Sequence, residues 1–224
     1  MAGADSIDQL IGVLGADLKP VRRLASPALR ALGWLAMVGA IGVALASFAD
    51  IHAMVRRLAA VPDMWVAGIG SALTALLAAF AVFQLSLPDR KAASALLPLP
   101  AAALWIGASG LGCLRQWFVP DTHAATLQET GTCVIFILSV SLPLSILLIA
   151  MLRRACALRP NLAAAIGGLA CASAAATLLN FIHPYDAAAT DLVMHAFAVG
   201  AVIAANSLIG GRILANRGNI RAST

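Results

Sequence analysis

Six long apolar runs, separated by short polar segments, dominate the pattern of hydrophobic and polar positions along the chain. Each run has roughly the 20 residues that an α-helix needs to cross the hydrocarbon core of a membrane. The runs cover residues 28–49, 64–87, 93–113, 131–152, 161–181 and 190–210. Because no soluble domain interrupts them, the pattern predicts an all-α fold, a polytopic membrane bundle of six transmembrane helices over 28–211 with tails at 1–27 and 212–224.

Local signals refine these spans. Ser26 followed by Pro27 predicts an N-cap and a first-turn proline for the first helix. That run is longer than the apolar core of a typical signal peptide and follows mostly polar residues, so it is interpreted as a retained helix. Pro98 and Pro100 lie early in the third run, and Pro143 predicts a kink in the fourth.

The N-terminal tail carries a second periodicity. Its apolar residues recur at offsets of 3, 4, 7 and 11, which places them on one face of a short amphipathic helix. They are Ile7, Leu10, Ile11, Leu14 and Leu18. This stripe has three interpretations that the pattern leaves open: it lies on the membrane surface, it packs against the bundle, or it binds a protein partner.

Composition strengthens the membrane assignment. Hydrophobic residues make up 61% of the chain and charged residues only 11%, and the mean hydropathy is +0.92. A soluble domain carries about 25% charged residues, so this chain could not cover itself with a wettable surface. The abundance of Ala, Leu and Gly favours closely packed helices over an outer-membrane barrel.

The basic residues predict the orientation. When the N-terminus and every second loop are placed on one side, 12 of the 15 Lys and Arg residues fall there. The other side holds only Arg56, Arg57 and Arg115. Because basic residues resist translocation, both termini are predicted to be cytoplasmic. The excess of basic residues is therefore a topology signal, and no direct binding to nucleic acid is expected.

Cysteine and histidine residues concentrate on the predicted outer side. Cys113 ends the third span and Cys133 begins the fourth, while Cys156 lies in an inner loop. The four histidines, which all fall outside, are His52, His123, His183 and His195. Cys113, Cys133, His123, His183 and His195 include ligand types that bind thiophilic divalent metals. A structural disulfide, simple helix packing and solvated loops remain the alternatives.

Cys171 is interpreted differently from the other cysteines. It lies in the middle of the fifth span, in a row of small residues spaced by four that also contains Ala163, Gly167 and Ala175. Such a row is typical of a helix-contact face, so Cys171 is predicted to pack against a neighbouring helix.

The sequence gives little support for an enzyme. The chain has no C-x-x-C motif for a thiol oxidase, no H-E-x-x-H motif for a metalloprotease and no paired carboxylate inside a span. We therefore expect no enzymatic activity, no resident cofactor and no obligatory small-molecule substrate. A small-solute or metal-ion transporter remains the alternative function, although the first three and last three spans show no obvious repeat.

Several motifs together resemble a known family. Residues 8–24 read DQLIGVLGADLKPVRRL, and further matching segments follow in order. These are PDR (88–90), LGC (111–113), GTCVIFILSVSLP (131–143), RRACALRP (153–160) and HPYDAAATDLVMHAFAVG (183–200). Their order and spacing resemble the NrsF-like family of bacterial integral-membrane anti-sigma factors over essentially the whole chain.

The resemblance implies a partner and a location. It implies a bacterial inner-membrane protein whose cytoplasmic tail binds an ECF-type sigma factor and keeps it from RNA polymerase. The tail residues that match the family and would contact the sigma factor are Asp8, Leu10, Ile11, Leu14, Asp17, Leu18, Pro20, Val21 and Arg22.

The resemblance also implies that the bundle receives an envelope signal, heavy metal or oxidative stress, on its periplasmic side. Cys133, Cys113, His183 and His195 are the matching candidates for sensing. One departure bears on the mechanism, since many family members have a cysteine where this chain has His183, directly before Pro184. Imidazole binds metals but forms no disulfide, which disfavours a two-thiol switch between this position and Cys133.

Overall fold

A computed structural model describes residues 2–16, 24–60, 62–118, 127–155, 157–180 and 189–222 of the chain. Every regular element in these ranges is helical. The elements are α1 (Ala2–Ala16), α2 (Pro27–Ala46), α3 (Ile51–Ala60), α4 (Pro62–Leu85), a 3₁₀ turn (Ala92–Leu96), α5 (Leu99–Phe118), α6 (Leu127–Leu152), α7 (Pro160–Leu179), α8 (Ala189–Ala205), a π-helical turn (Asn206–Gly210) and α9 (Gly211–Ala222).

Six of these helical stretches are long and apolar enough to cross a membrane, which confirms the predicted number of spans. They are Pro27–Ala46, Met64–Leu85, Ala92–Leu111, Gly131–Leu152, Pro160–Leu179 and Leu192–Asn216. The fourth coincides with its prediction and the second starts at Met64 as predicted, while the other predicted boundaries shift by one to six residues. The short helix α3, between the first two spans, was not predicted, and His52 lies exposed on it.

The first span begins as its local signals predict. The backbone N–H of Leu29 donates to the side-chain oxygen of Ser26 at 3.3 Å, and Pro27 occupies the first helical position. A helix start leaves its first N–H groups without partners, and the serine satisfies one of them. The N-cap prediction is therefore confirmed.

The third span is divided by its prolines. The 3₁₀ turn ends at Leu96 and α5 begins at Leu99, so Pro98 lies between the two elements and Pro100 in the first turn of α5. Proline lacks a backbone N–H and is tolerated best at a helix start. The carbonyl of Pro98 accepts from Ala102 N–H at 2.9 Å, which begins the hydrogen bonding of α5.

Helix α7 forms the centre of the bundle. Of the residues in its apolar stretch, 72% are buried, against 17% to 50% in the other spans. Cys171 is 0% exposed and belongs to the main apolar core, which confirms that it packs between helices. A side chain at Gly168 would place its Cβ 2.8 Å from the backbone Cα of Ile203, so the glycine permits α8 to approach closely.

The sixth span contains a π-helical turn that the sequence did not predict. The turn starts at Asn206, and its side-chain amide donates to the Ser145 hydroxyl and to the Val202 carbonyl, each at 2.9 Å. Helix α9 then continues to Ala222. The boundary predicted at residue 211 therefore falls inside a continuous helical segment.

Candidate functional site

The exposed face of α1 is the first part of the candidate site. Ile7, Leu10 and Ile11 are between 58% and 61% exposed. These residues lie on one face because they are separated by three and four positions. Within the described residues, no helix packs against α1 as the spans pack against one another. Ile7, Leu10 and Ile11 are thus not covered by the bundle, whereas the placement of Leu14 and Leu18 stays a prediction.

The other predicted sigma-contact residues divide into two groups. Asp8 and Leu14 fall within α1, at positions compatible with the prediction. Asp17, Leu18, Pro20, Val21 and Arg22 lie outside the described residues. Their assigned contacts stay predictions.

At the end of the bundle from which the tail extends, Arg30 joins three helices. Its Nη1 donates to the hydroxyl of Ser86 at 3.0 Å, and its Nη2 donates to the carbonyl of Met151 at 2.7 Å. The guanidinium also lies 4.7 Å from the centroid of the Phe83 ring. Helix α2 is therefore fastened to the ends of α4 and α6 by one side chain, only 8% of which is exposed.

The partners of Arg30 suit a buried cation. Met151 lies in the last turn of α6, where carbonyls lack helical partners and the helix dipole is negative. The aromatic face of Phe83 adds a cation–π contact. Ser86 accepts from Arg30 while its own O–H donates to the carbonyl of Phe83 at 2.7 Å. We name Arg30, Ser86, Met151 and Phe83 the arginine clamp.

Sequence reasoning missed the clamp, because it counted Arg30 only toward the charge balance. The available signal was its position, three residues into an apolar span that starts at Pro27. A charged side chain inside a span is costly and therefore indicates a specific role.

Cys133 and His195 lie toward the opposite end of the bundle. Cys133 is 5% exposed and belongs to an apolar cluster that includes Ile137 of α6 and Ala198 of α8. His195 is partly buried and precedes Ala198 by one turn of α8. Two of the four predicted sensing residues are thus on helices that pack against each other.

The other two predicted sensing residues are Cys113 and His183. Cys113 falls on α5, and His183 lies outside the described residues, as do His123 and Cys156. Among the residues that are described, no three His, Cys, Asp or Glu side chains are grouped closely enough to hold a metal ion. Sensing of a metal or an oxidant by these residues stays a prediction.

Polar contacts also join neighbouring helices inside the bundle. Trp34 of α2 donates through its indole N–H to the carbonyl of Leu144 at 3.3 Å. The hydroxyl oxygens of Thr177 on α7 and Ser71 on α4 lie 2.9 Å apart. Because a membrane interior supplies no water to compete, such contacts fix the relative positions of helices.

Comparison with known proteins gives one finding about the family. The family model for NrsF, described as negative regulator of sigma F, matches residues 14–215. The match therefore covers the first five spans, all but the last residue of the sixth, and the second half of the N-terminal tail. No curated protein and no solved structure matches the chain.

Proposed function

Since the chain belongs to the NrsF family of negative regulators of sigma F, we propose that it is a membrane-anchored anti-sigma factor that sequesters an ECF-type sigma factor through its N-terminal helix. The observation that carries this proposal is the apolar stripe of α1, whose described side chains, Ile7, Leu10 and Ile11, are exposed. An apolar face left open in water favours a partner that covers it.

The distribution of charge supports a cytoplasmic tail. Arg30, Arg90 and Arg159 lie at the end of the bundle where the first span begins, and among the described residues so do Lys91, Arg153, Arg154 and Arg212. In bacterial inner-membrane proteins this end faces the cytoplasm, where sigma factors and RNA polymerase are found.

The proposed contact is a helix laid into a groove of the sigma factor. Burying Leu10 or Ile11 contributes about 1.5–3 kcal/mol each, relative to leaving the side chain in water. Asp8 and Asp17 would set the register by pairing with basic groups of the partner. A short helix is marginal alone in water, so we expect binding to stabilise it.

Release would follow from an event at the outer end. In this proposal, metal binding or oxidation involving Cys133, with Cys113, His183 and His195, changes the packing of α6 against α8. The arginine clamp transmits this change, because Met151 is at the inner end of α6 and Arg30 is near the tail. Moving the sigma factor from almost fully bound to almost fully free requires about 5.5 kcal/mol of differential binding.

A titration of the full-length protein in detergent with the sigma factor encoded beside its gene tests the proposal. Leu10→Asp and Ile11→Asp should each weaken binding at least tenfold, since a carboxylate cannot enter an apolar groove. Val13→Asp is the matched control, because Val13 is also exposed, at 70%, but lies off the stripe. No binding by the unchanged protein, or equal losses in all three variants, would refute the proposed tail contact and leave transport as the alternative.

A further inference from the structure

A cavity of about 500 Å³ opens at the end of the bundle from which the tail extends. It lies between the connection from α4 to α5 and the residues that directly precede α7. Cavities of this size hold small ligands or headgroups, and they are too small to dock a folded protein.

The lining of the cavity is positively charged. Arg90, Lys91 and Arg159 contribute three cations, while Asp89 contributes the one carboxylate. Asp89 pairs with Arg90 at 3.6 Å, but both side chains are at least half exposed, so the pair is weak. Among the described residues, neither Lys91 nor Arg159 forms a salt bridge.

The backbone adds to the positive electrostatic potential of the cavity. Arg159 directly precedes α7, a helix of 20 residues with Pro160 in its first turn and no side-chain cap on its N-terminal N–H groups. The N-terminal end of a helix carries a partial positive charge. The helix end and the three cations therefore favour an anion in the same place.

The cavity is also at the depth of the membrane boundary. The second span ends at Leu85, the third begins at Ala92 and the fifth begins at Pro160. Leu87 and Leu158 line the cavity beside the charges, and Leu158 is exposed. Apolar side chains next to cations at this depth match a molecule with an anionic group and hydrocarbon chains.

We propose that this cavity is a binding site for the phosphate headgroup of an anionic phospholipid. Basic pockets between membrane helices are suited to such headgroups. The lipid would link the α4–α5 connection to the start of α7, and it would stabilise the folded bundle by binding it preferentially. The site does not depend on the proposed binding of a sigma factor.

Native mass spectrometry of the full-length protein in an uncharged detergent tests the site. The probe is dioleoyl phosphatidylglycerol, and the matched zwitterionic lipid is dioleoyl phosphatidylcholine. We expect phosphatidylglycerol to bind more tightly, and Arg159→Gln and Lys91→Gln each to weaken it about fivefold. Arg212→Gln removes the same charge from α9, outside the cavity, and should leave binding unchanged.

Three other outcomes would contradict the proposed lipid site, each for a different reason. Equal binding of the two lipids, or an equal loss in Arg212→Gln, would overturn a specific site. Displacement of phosphatidylglycerol by an equal concentration of inorganic phosphate would show a soluble-phosphate site instead. If Arg159→Gln retained the lipid but lost sigma-factor binding, the cavity would belong to a protein contact. Leu10→Asp should retain the lipid, which separates this test from that of the tail.

Discussion

The guanidinium of Arg30 and the hydroxyl of Ser86 are 56 positions apart in sequence and 3.0 Å apart in the structure. This hydrogen bond joins the first span to the end of the second, within a few residues of the tail. The third member of the contact, the carbonyl of Met151, is 121 positions from Arg30. One side chain therefore connects the end of α6 to the first turn of the first span, next to the tail.

Ser86→Ala should destabilise the protein by about 1–3 kcal/mol, because it leaves a buried donor of Arg30 without its acceptor. Ser47→Ala is the control, since the Ser47 hydroxyl donates only to the nearby carbonyl of Ala44 at an exposed helix end. The measurement is the free energy of unfolding of full-length protein in mixed micelles. Equal stability of the two variants would mean that the clamp contributes nothing beyond a local serine contact.

Gly168→Ala should destabilise the bundle by about 1–3 kcal/mol. The new methyl group would lie 2.8 Å from Cα of Ile203, and backbone cannot move aside as a flexible side chain can. Gly39→Ala is the control, because a Cβ there would meet nothing within 4 Å beyond the backbone of its own helix, and alanine is the better helix former. The same unfolding measurement checks both variants, and a neutral Gly168→Ala would contradict close packing between α7 and α8.

The contact between Asn206 and Ser145 should show a coupling energy of about 0.6 kcal/mol in a double-mutant cycle. The cycle combines Asn206→Ala with Ser145→Ala and measures unfolding of each variant. The value is modest because the unfolded chain in a membrane finds other polar partners. Strictly additive effects would show that the two side chains do not stabilise each other.

The features that sequence predicted correctly are local. Hydrophobic runs fixed the number of spans, and the neighbours Ser26 and Pro27 marked the start of the first helix because a cap involves only adjacent residues. The packing role of Cys171 followed from small residues repeating on its own helix. Each of these features is determined by residues within a single helix or directly next to it.

The features that sequence missed depend on distant partners or on backbone geometry. Nothing near Arg30 in the sequence identifies Ser86 or Met151 as its partners. The π-helical turn at Asn206 lies where the sixth span packs against α6 and α7. The sequence of the turn alone therefore does not predict its π-helical geometry. Of the predicted sensing residues, Cys133 and His195 lie on α6 and α8, and the packing of these two helices depends on segments far apart in the sequence.

Cys133→Ala should abolish induction of the sigma-dependent genes by a thiophilic metal or an oxidant, because the proposed signal acts on this thiol. Cys171→Ala should leave induction intact, since Cys171 lies in the middle of α7 within the main apolar core, away from the outer end at which the proposed signal acts. The measurement is a reporter gene fused to a promoter of the released sigma factor, with the amount of membrane protein matched by immunoblot. Normal induction in Cys133→Ala would remove the outer thiol from the mechanism, whereas loss in both variants would indicate that packing around these helices, rather than thiol chemistry, controls release.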